Sequence, residues 1–163
     1  SAVVSLCSLQ AGDPGAFSVI PREVRIVGTA RSFKSSVQAM IEERIGRLVE
    51  SIAIAFGATA TVNYQRSYPA TINSRAEAVF AGDVAASIVG EERVVRDLKP
   101  SMGAEDFSFM LQVKPGAYVR LGQGGESSCF LHSSRYDFND AVLPLGAAMY
   151  AGLVERGLPL QDA

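Results

Sequence analysis

The chain contains one histidine, His132, in the stretch LHSSRYDFND that ends at Asp140. A neutral imidazole is the commonest protein ligand for metal ions, and a loop between a strand and a helix is a usual place for one. The second ring nitrogen usually needs an orienting oxygen, which Asp137 or Asp140 could provide. The alternative is structural: His132 hydrogen-bonds a turn, with Asp137, Asn139 and Asp140 as turn and cap residues. One histidine does not complete a catalytic zinc site, which takes about three protein ligands.

Four further residues carry groups that can do chemistry. Glu105 and Asp106 begin a predicted helix, where carboxylates are favoured by the helix dipole, which explains them without any function; they could also support a metal or a base. Arg31 ends a predicted strand. It is either a solvated side chain or a bidentate hydrogen-bond donor to a substrate carboxylate. Ser18 is either a turn residue or a hydrogen-bond donor.

The first half of the chain predicts the order strand, strand, helix, strand. An apolar, β-branched segment over 2–9 and an alternating one over 21–33 predict two strands, the second half-buried. A helical stripe then starts at Ser35 or Ser36 as N-cap and stops at Gly57. Its apolar members are Val37, Ile41, Ile45, Leu48, Ile52 and Phe56. Residues 58–69 return to a period of two, which predicts another strand.

The second half alternates helices with one short strand. Helices are predicted over 75–89, with a stop at Gly90, and over 105–112. A short strand is predicted over 116–122, followed by a Gly and Ser-rich loop. The last helix is predicted over 140–157, capped by Asn139 or Asp140, with a proline in its first turn. The predicted fold class is therefore mixed, α+β and α/β.

Composition limits the class of protein and its partners. The chain has 163 residues, 48% of them hydrophobic and 20% charged, which can support a sizeable buried core. A net charge of -2 argues against nucleic-acid or anionic-membrane partners. We expect a cytoplasmic protein, because the sequence contains neither a secretory signal nor an apolar run of the roughly 18 residues that span a membrane. Cys7 and Cys129 are expected to be free, partly buried thiols.

The layout also suggests a piece of a longer protein. The chain begins inside a predicted strand, and a sandwich of the split βαβ type would need one more strand and helix in front. A sheet that lacks a strand exposes unpaired backbone and apolar surface. We therefore expect the chain to self-associate.

Five motifs, in order, resemble a known family. They are GAFSVIP, GTARSF, SYPATIN, SMGAEDF and LHSSRYDFNDAVLPLG, and they span nearly the whole chain. They resemble the C-terminal part of the metal-dependent amidohydrolases that include hippurate hydrolase, the indole-acetyl-amino-acid hydrolases and related N-acyl-amino-acid deacylases and carboxypeptidases. The resemblance implies that residues 1–70 are the later part of a lid, or dimerisation, domain with a mostly antiparallel sheet. Residues 71–163 would then be the C-terminal part of an α/β catalytic domain.

The resemblance also implies cofactors and partners. The intact subunit would bind two divalent metals (Zn, Mn, Ni or Co), which this chain alone would not fully bind. The substrate would be a small N-acyl amino acid, and a glutamate upstream of this chain would act as the general base. The subunits would form a homodimer through the lid domain.

Residue by residue, His132 matches the last metal ligand of that family, and Arg31 matches a lid arginine that binds the substrate carboxylate. Glu105 and Asp106 match an acidic pair near the metal pocket, where a supporting role is implied. Ser18 stands where the family usually has a substrate-holding asparagine, so that contact departs from the pattern. A non-catalytic dimerisation or small-molecule-binding module, with a structural His132, is the alternative.

Overall fold

The computed structural model describes residues 1–125 and 128–158. Within these ranges it contains two strands and four α-helices: β1 (Ala2–Ala11), β2 (Val24–Ser32), α1 (Ser35–Ala55), α2 (Arg75–Val89), α3 (Phe107–Val113) and α4 (Leu143–Gly157). Short 3-10 turns occupy Glu91–Arg93 and Asp140–Val142. The α+β part of the prediction is confirmed, whereas these ranges contain no parallel strand pair. None of the described helices combines the length and apolar character needed to cross a membrane.

The two strands pair antiparallel, from Ala2 opposite Ser32 to Ala11 opposite Val24. The register shifts between Leu6 and Ser8, which leaves Cys7 in a bulge. Gly28 lies opposite this bulge, and a Cβ on Gly28 would fall 2.5 Å from the main-chain oxygen of Ser5. The glycine of GTARSF is therefore required for close backbone approach.

Helix α1 forms where the periodicity predicts it, although Lys34 and not a serine occupies the N-cap position. The stop at Gly57 is confirmed, because its φ of +68° is a conformation that glycine adopts without steric cost. The helix packs against β2. Of its predicted apolar stripe only Ile41 is buried, while Leu48 and Phe56 are exposed.

The predicted sizeable core is wrong for the described part of the chain. Its buried residues are Ile41, Ala81, Val84 and Ser108. Strand β2, predicted half-buried, exposes apolar side chains from both faces. Of the two cysteines, Cys7 is exposed and Cys129 is half-buried. A two-stranded sheet covered by one helix cannot remove both of its faces from water.

Two predicted strands are also wrong, because neither segment forms a strand. Residues 58–69 have no ladder partner; Arg66 forms an ion pair with Glu42 of α1 instead. The 116–122 segment is held largely by side chains: the Asn73 amide donates to the Tyr118 carbonyl at 3.0 Å and accepts from its N–H at 2.8 Å. A strand assignment requires a backbone ladder, which an amide side chain does not supply.

The chain divides into two compact units. The first comprises Ser1–Ala70 and, separately, Pro100–Asp106. The second comprises Thr71–Lys99 and the described residues from Phe107 onward. In the second unit α2 packs on α4, where a Cβ on Gly152 would lie 3.0 Å from Val84 Cγ1.

The helices of the second unit follow the sequence prediction closely. Helix α2 has the predicted limits and ends at Gly90, with a φ of +88°. Helix α3 begins at Phe107, two residues later than predicted. The predicted cap of the last helix is confirmed: the Asn139 side chain accepts a hydrogen bond from the Ala141 N–H at the start of the 3-10 turn that leads into α4.

Candidate functional site

The backbone of His132 is the first unusual feature of the candidate site. Among the described residues His132 is the one non-glycine residue with a positive φ, at +68°. The left-handed region costs an L-residue roughly 1 kcal/mol or more, and histidine is among the residues that enter it more readily than most. Such strain persists where the surrounding structure imposes it, and it concentrates at functional sites.

Main-chain hydrogen bonds impose this conformation. The Ser133 N–H donates to the Phe130 carbonyl at 3.1 Å, and the Tyr136 N–H donates to the Ser133 carbonyl at 3.0 Å. His132 therefore lies in the first of these turns, the second turn begins directly after it at Ser133, and neither is closed by its side chain. The imidazole is exposed and has no hydrogen-bond or ion-pair partner within the described ranges.

This arrangement corrects two expectations. The structural reading had the imidazole itself hydrogen-bonding the turn, but backbone amides do this. The carboxylates of Asp137 and Asp140, expected to orient the second ring nitrogen, make no described hydrogen bond to His132. Asp140 instead begins the 3-10 turn before α4.

Gln123 and Asn139 close the segment that carries His132. The Asn139 N–H donates to Gln123 Oε1 at 2.9 Å, and Asn139 Nδ2 donates to the Gln123 main-chain oxygen at 3.0 Å. We call this pair the clasp. Sequence reasoning missed Gln123, because nothing local to it indicates a partner 16 residues away.

The described residues supply one metal donor at this position. Nowhere in the described ranges do three or more His, Cys, Asp or Glu side chains gather into a group that could hold a metal ion. The exposed imidazole nitrogen of His132 fits the role of one ligand in a larger set. A hydrolytic metal needs about three protein ligands, so the other ligands would have to come from elsewhere.

Arg31 lies at the end of β2, opposite Val3. Its Nη1 donates to the main-chain oxygen of Met102 at 2.5 Å. Both residues belong to the first unit, because Pro100–Asp106 joins it. The structure thus brings Arg31 together with the segment that contains Glu105 and Asp106.

Glu105 and Asp106 lie just before a helix, and Ser18 lies in a turn. Glu105 is half-buried and Asp106 is exposed, and both precede α3, which starts at Phe107. Ser18 is exposed within a turn closed by the Val19 N–H and the Ala16 carbonyl at 3.0 Å. His132 lies in the second unit, whereas Ser18, Arg31 and the two acids lie in the first.

A separate charged cluster joins α2 to the segment after it. Arg96 donates to both carboxylate oxygens of Glu91, at 2.7 and 2.8 Å, and to Asp83 at 2.9 Å. These hydrogen bonds, with the positive charge of Arg96, hold the pKa of Glu91 below its ordinary value. The same contacts raise the pKa of Arg96. The cluster involves none of the candidate site residues.

Comparison with characterised proteins places the chain in a family. The sequence profile of the Peptidase family M20/M25/M40 matches residues 9–156. The chain is 34% identical to the hippurate hydrolase of Campylobacter jejuni, over 97% of the chain and 40% of that protein. It is 32% identical to IAA-amino acid hydrolase ILR1-like 4 of Arabidopsis thaliana, over 97% of the chain and 37% of that protein.

A solved structure agrees with these matches. The Bacillus subtilis YxeP protein, described as a dinuclear metal binding peptidase from the M20 family, superposes with a TM-score of 0.79 at 28% identity. The superposition covers 98% of this chain and 43% of that one. The chain therefore spans about two fifths of the length of the relatives that it matches. Since the profile matches most of the sequence, the chain belongs to the Peptidase family M20/M25/M40.

Proposed function

We propose that this chain supplies a metal-ligating histidine and a carboxylate-binding arginine to a metal-dependent amidohydrolase acting on N-acyl amino acids of the hippurate type. The observation that carries the proposal is His132. Its imidazole is exposed, has no partner within the described ranges, and belongs to a left-handed backbone residue in a turn that the side chain does not help to close. Such an arrangement keeps the imidazole available to a ligand.

The proposed division of labour follows the two units. Residues 1–70 would be the later part of a lid domain, through which subunits form a homodimer, and residues 71–163 would be the C-terminal part of the catalytic domain. The break between Ala70 and Thr71 supports this division, whereas the presence of Pro100–Asp106 in the first unit modifies it. Exposed apolar residues on β1 and β2 support an interface there.

Each named residue has a chemical task in the proposal. A divalent metal pair, when bound, supplies an acidified water and positive charge beside the scissile carbonyl. His132 would hold one of the two ions through a ring nitrogen. Arg31 would bind the substrate carboxylate with parallel hydrogen bonds and so orient the amide bond. Ser18 would contact the substrate with a hydroxyl, and Glu105 and Asp106 would support the metal pocket. The general base is a glutamate from outside this chain.

The experiment uses the full-length protein that carries this sequence. Bound metal is counted by elemental analysis, and hippurate hydrolysis is measured, for wild type, His132→Ala and His132→Asn. Both variants are expected to lose metal and more than about 100-fold in kcat/KM, because asparagine tolerates the left-handed backbone but lacks the imidazole. Ser134→Ala, in the same loop, is the control that should retain both. Full metal content in His132→Ala would contradict the proposed ligand role of His132.

A second measurement uses the 163-residue chain by itself. We expect no hydrolysis of hippurate with added Mn or Zn, because the described residues bring together only one ligand of the required set. Turnover by the isolated chain would show that the metal site had been assigned to the wrong residues.

A further inference from the structure

We propose that Arg31 is a positioning residue that anchors the segment Pro100–Asp106, here called the acidic loop, to the end of β2. The observation is the hydrogen bond from Arg31 Nη1 to the main-chain oxygen of Met102, which joins residues 71 positions apart. A hydrogen bond with a charged donor is shorter and stronger than one between neutral groups.

The course of the chain shows where this anchor acts. The residues just before and just after it, through Lys99 and from Phe107, belong to the second unit, while the loop itself belongs to the first. It contains no helix or strand. A Cβ placed on Gly103 would have only Ser101 Oγ, at 3.9 Å, within 4 Å. Close packing therefore does not fix the backbone at this position.

The anchor uses only part of the guanidinium. Arg31 Nε and Nη2 have no partner within the described ranges. These two nitrogens form one edge of the guanidinium, which can donate two parallel hydrogen bonds to a carboxylate. Holding the acidic loop and binding a substrate carboxylate therefore require different atoms. This compatibility rests on the proposed function, but the anchor itself does not.

The consequence concerns Glu105 and Asp106, which follow Met102 in the same short loop. An anchor at Met102 restricts the positions that these carboxylates can reach, since they lie only three and four residues further along the chain. Arg31 would thus act on the acids through the backbone, without contacting them.

The test measures loop order by 15N relaxation in the full-length protein that carries this sequence. Arg31→Met should lower the backbone order parameters of residues 101–106 from about 0.85 to below about 0.6. Arg31→Lys should restore most of the order, because its ammonium can still donate one hydrogen bond to the Met102 carbonyl. Arg25→Met is the matched control: Arg25 lies on the same strand and, by strand alternation, the same face as Arg31, and has no described partner.

Unchanged order in the acidic loop of Arg31→Met, with unchanged signals from α1 and α2, would overturn the proposal. If Arg31→Met does not fold, the NMR signals of the guanidinium groups in the wild type test the anchor instead. Rotation of the Arg31 Nη1 group should then be slower than that of Arg25, and equal rates would overturn the anchor. Neither measurement involves metal or hippurate, so failure of the anchor is distinguishable from failure of the proposed hydrolase function.

Discussion

The side chains of Gln123 and Asn139 hold the two ends of the segment that carries His132. Asn139 donates twice to Gln123, from its main-chain N–H at 2.9 Å and from Nδ2 at 3.0 Å. Its Oδ1 accepts from the Ala141 N–H at 3.1 Å. One amide thus closes the His132 segment and caps the turn leading into α4, so loop position and helix start depend on the same side chain.

Truncation of the clasp should lower stability in a graded way. Asn139→Ala removes the Nδ2 donor and the cap, and should cost about 1 to 3 kcal/mol of unfolding free energy. Gln123→Ala removes one acceptor and should cost roughly 0.5 to 1.5 kcal/mol. Asn139→Asp keeps the cap acceptor but loses the donor, so it should fall between the wild type and Asn139→Ala. Urea unfolding followed by circular dichroism measures these differences.

Asp137→Ala is the control for this series, because Asp137 lies in the same segment and has no described partner. Its unfolding midpoint should match the wild type. An Asn139→Ala variant as stable as the Asp137→Ala control would mean that the clasp contributes nothing in solution.

The helices could be predicted because their signals are local. An apolar stripe or a terminal glycine specifies α1 and α2 within a few residues. Asn139 marks the start of the segment that leads into α4. The strands proposed at 58–69 and 116–122 failed for the opposite reason. A strand depends on a distant partner, and the sequence does not reveal that the amide of Asn73 takes the place of one beside Tyr118.

Some features of the candidate site could likewise be predicted from the sequence, whereas others depend on contacts between distant residues. The sequence shows a histidine at 132 and an arginine at 31, and these residue types suit metal binding and carboxylate binding respectively. The sign of φ at His132 and the Arg31 bond to Met102 depend on turns and long-range contacts, which residue types alone do not specify. The roles assigned to Ser18, Glu105 and Asp106 remain predictions.

The backbone strain at His132 predicts an unusual order of stability. Glycine adopts a φ of +68° freely, whereas alanine does not. His132→Gly should therefore be more stable than His132→Ala by about 1 kcal/mol, although glycine usually destabilises a folded chain relative to alanine. Thermal unfolding of the two variants gives the difference. The reverse order would show that the residue is not left-handed in solution.

The Glu91–Arg96 contact predicts a pH dependence. Because the folded-state pKa of Glu91 is lowered, the contact stabilises the fold above the ordinary glutamate pKa. This stabilisation is lost as the pH falls through the lowered pKa. Arg96→Met should raise the pKa of Glu91 towards its ordinary value, as followed by NMR titration of the side-chain carboxyl. Arg93→Met is the control, and an equal rise in both variants would exclude a specific role for Arg96.

Self-association is expected from the exposed sheet. Leu6 and Leu9 of β1 are 78% and 67% exposed, and with Ile26 of β2 they line a shallow apolar depression. Each strand of a two-stranded sheet also has one edge of unpaired backbone, which promotes pairing between chains. Light scattering should therefore give a mass that rises with protein concentration.

A charge placed in this depression should reverse the effect. Leu6→Lys should shift the chain towards monomer, because bringing two such surfaces together would bury an unpaired ammonium. Val154→Lys adds the same charge on α4, at a residue that is also exposed, and should leave the association unchanged. Equal loss of association in both variants would indicate that net charge and not the sheet surface controls it. A concentration-independent monomer in the wild type would mean that the exposed apolar residues of β1 and β2 do not form an interface between copies of this chain.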